Sequence, residues 1–401
     1  MSVEVHGTTA PGFERVRDVF AKNFSKRREV GASFCVRLGG EPIVDLWGGV
    51  ADPTTGRAWE ADTPAIVFSA TKGMAAARML QLTDQGVFDP DAPVADAWPA
   101  FGRAGKERIT GRVLMNHRGG LAAIDEKLDL NDFADPRGKV HDALVAQEPL
   151  WEPDTDQGYH ACSYGPYVSE LHHQLTGQTL GEAFREHVSG PLDADVWIGA
   201  PDDAIARSAR MVVIDPKTLL TRHIPTALLR RNHEARLYRR LFRPGSDVFR
   251  AFTNPAMGPE RLGAVNHAST QRLELAWMGA LASARGLSKV YAGLLGPVDG
   301  QRLVSEDAVR PLHRRQTWSQ RDRVLQKPLG WSQGFLKDER RLFSPNSASF
   351  GHAGAGGPVG WADPVTGLSF AYVMNRMDWR IRSPRCVALC RAVYRCLDER
   401  G

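Results

Sequence analysis

Cysteine is scarce in this chain, with five residues in 401. An odd number spread over so long a chain excludes a disulfide framework. Cys386, Cys390 and Cys396 lie close together, but no histidine interleaves them, and the first two fall on the apolar side of a terminal helix, which favours core packing over a metal site. No window approaches the apolar length needed to cross a bilayer, and residues 1–12 lack a basic segment followed by an apolar run and a small-residue cleavage site. A soluble, non-exported, cytoplasmic protein is expected. Internal repeats and low-complexity tracts are absent, and the glycine-rich run 354–357 lacks both a Walker lysine and a following helix, which excludes a nucleotide loop there. No metal constellation stands out and no cofactor is implied. A formal charge of +5 and a pI near 9.0 are mildly basic, which alone is a weak pointer to an anionic partner.

What is present is apolar sequence, 42% of the chain, enough for one large domain or two closely packed ones. Residues 12–24 carry Phe13, Val16, Val19, Phe20 and Phe24 as a helical stripe. Two strand-like runs follow, 32–38 and 42–47, joined by the tight-hairpin signal Gly39-Gly40-Glu41. From about 80 to 340 the pattern is mostly helical. Within it, 109–117 reads as a short helix opening at Thr110, and 181–187 and 273–295 read as further helices. Extended runs return at 348–354 and 368–375, bridged by a loop that contains the turn-rich run 362–367, and a helix over 384–397 closes the chain. The expectation is an α+β fold. Residues 1–80 and 330–401 would build one discontinuous domain with an antiparallel sheet and terminal helices, 81–329 a mainly helical domain, and the active cleft would lie between them.

The chemistry centres on Val67-Phe68-Ser69-Ala70-Thr71-Lys72-Gly73-Met74. An apolar run leads into Ser69, and an alanine-rich helix follows it, ending near Gly86. Lys72 lies one turn on and on the same face, so its amine can reach the serine hydroxyl. A serine hydroxyl is a poor nucleophile and a lysine is normally protonated; the pair works only if burial or nearby positive charge depresses the lysine pKa. A helix N-terminus favours the neutral amine and offers backbone N–H groups for an oxyanion. Ser-x-x-Lys alone arises readily by chance, so other elements must support it.

Two do. Tyr159, in Gly158-Tyr159-His160-Ala161, stands at a loop-to-helix junction before an amphipathic helix ending at Gly177. Alone it reads as a packing residue; facing Lys72, its phenolate would be stabilised by the ammonium and its hydroxyl could relay a proton. In Phe350-Gly351-His352-Ala353-Gly354-Ala355-Gly356-Gly357, small residues would let a substrate lie against the backbone, and the Ala355 N–H could pair with that of Ser69. His352 is open between a structural role and substrate binding.

These pieces together resemble the penicillin-recognising serine hydrolases, specifically family VIII carboxylesterases and their relatives, the class C β-lactamases and D-alanyl-D-alanine carboxypeptidases. The resemblance spans nearly the whole chain, and further shared stretches include Asp45-Leu46-Trp47-Gly48-Gly49 and Ala362-Asp363-Pro364. It implies a β-lactamase/transpeptidase-like fold. It also implies Ser69 as acylated nucleophile, Lys72 as base, Tyr159 as proton carrier, and Ser69 and Ala355 as oxyanion-hole donors, with His352, Gly354 and Ala161 on the substrate. Two departures matter. Tyr159-His160-Ala161 stands where lactamases have Tyr-x-Asn, and His352-Ala353-Gly354 where they have Lys-Thr-Gly. A site built for an amide loses about 2 to 4 kcal/mol without such polar contacts, which tilts the choice towards small-molecule esters. A β-lactamase, D-Ala-D-Ala peptidase, amidase or acyltransferase on the same scaffold is the nearest alternative.

A competing class rests on residues 222–243, where seven arginines stand against one acid, Glu234, and Leu228, Leu229, Leu237, Leu241 and Phe242 interleave with them. This reads as a basic amphipathic helix, either solvated over the cleft or lying on anionic lipid or an acidic partner. Nucleic acid is disfavoured because no binding motif accompanies it. A catalytically silent binding protein would fit that segment.

Overall fold

Strands from both ends of the chain meet in one antiparallel sheet. The computed structural model describes residues 3–337 and 341–400. The chain begins with β1 (Val5–Thr9), α1 (Glu14–Arg27), β2 (Gly31–Leu38) and β3 (Glu41–Asp52). Gly39 and Gly40 turn β2 into β3 with φ of 58° and 92°, left-handed values that match strand twist and cost glycine nothing. The middle of the chain holds, with other short helices and turns, α2 (Thr71–Asp84), α3 (Gly111–Met115), α4 (Tyr164–Thr176), α5 (His233–Leu241) and α6 (Ala284–Leu295). It then returns through β4 (Thr317–Ser319), β5 (Leu329–Ser332), β6 (Phe335–Lys337), β7 (Phe350–Ala353), β8 (Val359–Asp363), β9 (Leu368–Met374) and α7 (Pro384–Asp398).

The sheet runs β1-β3-β2-β9-β8-β7-β6-β5-β4, with Arg57–Ala58 added beside β3. β2 pairs with β9 in the register Phe34 to Tyr372 and Val36 to Phe370, which joins the two ends of the chain at the centre of the sheet. Side chains alternate across the pleat. Tyr372 and Asp363 face the terminal helices, reaching Glu29, beside Arg385 of α7, and Tyr394. On the other face, Ser369 and Arg37 hydrogen-bond to Ser288 of α6. Covered on both sides, β2 is buried along nearly its whole length.

The α+β architecture matches the expectation, with four differences. Residues 354–367 are not one loop: β8 lies between two turns, and Gly367, at φ 71°, closes the second with its N–H on the Asp363 carbonyl at 2.9 Å. Residues 273–283 are not helical; Leu281–Ala282 forms a strand between Ala65–Ile66 and Val196–Trp197 in a small second sheet. The large sheet also draws on the stretch 81–329, since β4 extends its edge and α6 covers its inner face. The basic segment 222–243 is not one helix. Leu219–His223 and Ile224–Leu229 precede a break at 230–232, and α5 then starts at the Asn232 cap, whose side chain accepts the Ala235 N–H.

Candidate active site

The strand–turn–helix around Ser69 is held from both sides. The Val67 N–H donates to the Ala280 carbonyl at 3.0 Å, and the Ala280 N–H donates to Thr71 Oγ1 at 3.0 Å. Between them Phe68 takes a left-handed φ of 47°, a sparsely populated conformation for an aromatic residue, and Ser69 turns directly into α2. Thr71 to Leu82 are all buried, and the small residues of α2 are what such all-round packing requires. Gly73 is the extreme case: a Cβ there would lie 2.2 Å from the Tyr291 hydroxyl and 3.2 Å from Cβ of His352, so only glycine lets α2 seat against α6 and β7.

Lys72 is fully buried. Its Nζ lies 3.4 Å from Ser69 Oγ, 2.8 Å from the Ala161 carbonyl and 3.0 Å from the Trp277 carbonyl. Burial lowers its pKa to about 7. A neutral amine has two N–H groups and one lone pair; the two carbonyls take the N–H groups, which leaves the lone pair for the serine proton.

The Tyr159 phenol lies beside Ser69, whose side chain favours its ionised form less strongly than burial opposes it. The Lys72 amine lies 4.8 Å from the centre of its ring, and burial raises the phenol pKa well above its usual value. The hydroxyl is therefore protonated, contrary to the phenolate expected from a facing ammonium: burial of the phenol is the dominant influence on it. The Trp331 ring stacks on Tyr159 at 5.7 Å, and the Tyr159 N–H donates to Asp322 Oδ1 at 3.1 Å. That oxygen also accepts the N–H groups of Val324 and Leu325 at 2.9 and 2.8 Å. Burial raises the Asp322 pKa to about 6 against these hydrogen bonds.

Three histidines complete the wall. His117, His160 and His352 are buried, and the His160 N–H donates to His117 Nδ1 at 3.1 Å. Burial first, then the Lys72 charge, lowers His160 to about 3 and His352 well below its usual range; burial and then His160 do the same to His117. His352 is therefore neutral and supplies no fixed charge where lactamases carry lysine.

The end of β7 approaches the serine closely. A Cβ on Gly354 would lie 2.2 Å from the Val67 carbonyl oxygen, so the chain here must be glycine, and the exposed Ala355 follows directly. Strand pairing of β7 with β6 stops at Gly351, which leaves the end of β7 without a strand partner on that side. The Gly354 N–H is not open to substrate, because it donates to the Pro358 carbonyl at 2.8 Å to close the β7–β8 turn. Ala161 likewise differs from expectation: its carbonyl anchors Lys72 and its methyl is buried. Sequence reading missed Trp277 and Asp322. The first contributes only a backbone carbonyl, which no side-chain pattern signals, and the second sits among arginines in a stretch that reads as surface.

The beta-lactamase family profile matches residues 16–385. The chain is 34% identical to the esterase/beta-lactamase LipL of Mycobacterium tuberculosis, covering 93% of this chain and 83% of that protein. The crystal structure of a family VIII carboxylesterase superposes with a TM-score of 0.85 at 35% identity, covering 98% of this chain and all of that one. EstA of Arthrobacter nitroguajacolicus Rue61a superposes at 0.84 with 28% identity, covering 98% of this chain and 99% of that one.

Proposed function

The chain belongs to the beta-lactamase family and is a serine ester hydrolase on that fold, and we propose that it works through an acyl-enzyme on Ser69 in the cleft between the sheet domain and the helical lobe. Neutral Lys72 takes the Ser69 proton as Oγ attacks the ester carbonyl. The N–H groups of Ser69 and Ala355 hold the oxyanion. As the tetrahedral intermediate collapses, the bond to the alkoxide breaks and Tyr159 hands it a proton, made good from Lys72. Water then attacks the acyl-serine with the proton transfers reversed, releasing the acid and restoring Ser69.

The observation that carries this reading is a fully buried amine between two carbonyls, 3.4 Å from a serine hydroxyl and 4.8 Å from the centre of the Tyr159 ring. Esters are favoured over lactams and amides because Ala161 offers no side-chain hydrogen bond to an amide and His352 offers no charge to a carboxylate. Ser69→Ala is expected to abolish hydrolysis of p-nitrophenyl butyrate, and intact mass is expected to show a butyryl adduct on the wild type only. Turnover retained in Ser69→Ala removes the serine from the mechanism. A chromogenic cephalosporin turned over faster than the ester would reverse the substrate order.

A further inference from the structure

The segment 216–231 carries a surface that ester hydrolysis does not use. Its apolar residues divide into two sets. Ala227 joins Leu237, Tyr238 and Val248 in a small core of its own, against which Leu241, Trp379 and Ile381 pack. The Tyr238 hydroxyl donates to the Trp379 carbonyl at 2.6 Å, which ties this core to the sheet domain. Leu220, Leu228 and Leu229 stay outside it, 64%, 74% and 82% exposed; the last two are the most exposed large apolar side chains among the described residues. None of the three is among the side chains packed on either core of the described residues. Exposed Arg222, Arg230 and Arg231 alternate with them.

Arg222 also lines a cavity of about 620 Å³ between this segment, the C-terminal end of α1 and the stretch 376–385. Lys26, Arg27, Arg28, Lys217 and Arg376 share its wall, with Asp215 and Asp378 as the acids. Two further arginines there are already matched, Arg385 by Glu29 at 2.9 Å and Arg380 by Asp378 at 3.3 Å. Asp215 is then the acid left facing six cations. Partial burial, Arg28 and Arg385 disfavour the charge on Arg376 by more than Glu29 and Asp215 favour it, so like charges are crowded here.

We propose that this face docks on an anionic phospholipid surface, with Leu220, Leu228 and Leu229 entering the headgroup layer and the cationic cavity taking a lipid phosphate. Apolar side chains set among arginines suit an interface that is greasy a few ångströms down and negative at its rim. A second copy of the chain suits it poorly, since a two-fold contact would press the same arginines against each other. The cavity adjoins the turn that follows β7. A Cβ on Gly356, one residue past Ala355, would meet Met377 at 2.8 Å, and Met377 lines the cavity. Docking would therefore bring the cleft to esters dissolved in the lipid; that consequence rests on the hydrolase reading, whereas docking itself does not.

The test is flotation of the full chain with vesicles of phosphatidylcholine alone and with about one-third phosphatidylglycerol. Binding is expected only to the second, and to be largely lost in about 0.5 M salt, where surface charges are screened within a few ångströms. Leu228→Ser with Leu229→Ser is expected to weaken it at least about tenfold with an unchanged melting temperature. Arg222→Gln and Arg376→Gln are each expected to weaken it about fivefold. Equal binding to neutral vesicles, or full binding by the double serine variant, overturns the proposal. So does competition by millimolar inorganic phosphate that removes all binding, which would make this a free-anion site. Vesicle-independent self-association abolished by the double serine variant would assign the face to a second copy instead. Ser69→Ala protein should float as the wild type does, so a failure here is separable from a failure of the catalytic assignment.

Discussion

Two groups of basic side chains in this molecule meet opposite fates. Around Ser69, burial pushes Lys72 to about 7 and His160 to about 3, and holds His117 and His352 neutral. Around the cavity at 212–222 and 376–385, Lys217 and Arg222 are exposed to solvent. Arg385 stands between the two. It too is buried, and burial opposes its charge, but the Glu29 carboxylate at 2.9 Å, together with Tyr372 and Asp378, outweighs burial and its pKa is raised. What differs is the partner. Lys72 is met by two carbonyls and an aromatic ring, which satisfy an amine without holding a proton on it. A buried base is made by keeping carboxylates away from it.

Restoring charge at the reacting centre gives the largest expected effect. Lys72→Arg places a group that cannot lose its proton beside Ser69, and ester turnover should fall by about 10³-fold or more in a folded protein, measured as kcat/KM with a melting curve as control. Next comes the matched arginine. Arg385→Met leaves Glu29 buried without its counter-charge and should destabilise by about 3 to 5 kcal/mol, whereas Arg376→Met, at the cavity wall, should cost under about 1 kcal/mol in denaturant titrations. Similar losses at both positions would break the distinction drawn above.

Asp322 probes a buried charge of the other sign. Asp322→Ala removes the acceptor of three backbone N–H groups and frees the loop carrying Tyr159, so kcat should fall about tenfold with KM little changed. Asp322→Asn keeps the acceptor and should restore most of that activity. Because the folded pKa, about 6, lies above the ordinary carboxyl value, the contribution of Asp322 to stability is lost as pH rises from about 4 through 6. The asparagine variant should therefore be at least as stable as the wild type above pH 6. A less stable variant there would mean that the carboxylate charge, and not only its geometry, holds the loop.

The smallest effect is a displacement of the pH profile. The active amine is neutral, so kcat/KM should rise with pH through about 7 and flatten above it. Cys162 is the charge-capable neighbour of Lys72, and Cys162→Asp should move that limb upward by about one unit or more. A limb that does not move would place the titrating group elsewhere.

Much of this was readable from sequence where the signal is local. The Gly39-Gly40 hairpin, the helix stop before Gly177 and the closing helix after Ser383 depend on residues within a few positions of one another. β8 was not readable, because the turn-forming runs Gly356-Gly357-Pro358 and Pro364-Val365-Thr366-Gly367 crowd both its ends and conceal five extended residues. The role of Trp277 was hidden because a backbone carbonyl has no sequence signature. The basic segment misled because Leu237 and Leu228 look alike in a helical pattern, although one is buried against its neighbours and the other is exposed.

By itself, the sequence determined that a serine and a lysine share one helix face, since three residues of helix bring two side chains together whatever surrounds them. Only the tertiary structure decided that the lysine is a base. Its charge state depends on Ala161 and Trp277, 89 and 205 residues away along the chain, closing over it without bringing an acid. Desolvation is a property of the assembled surroundings, and no local pattern encodes it.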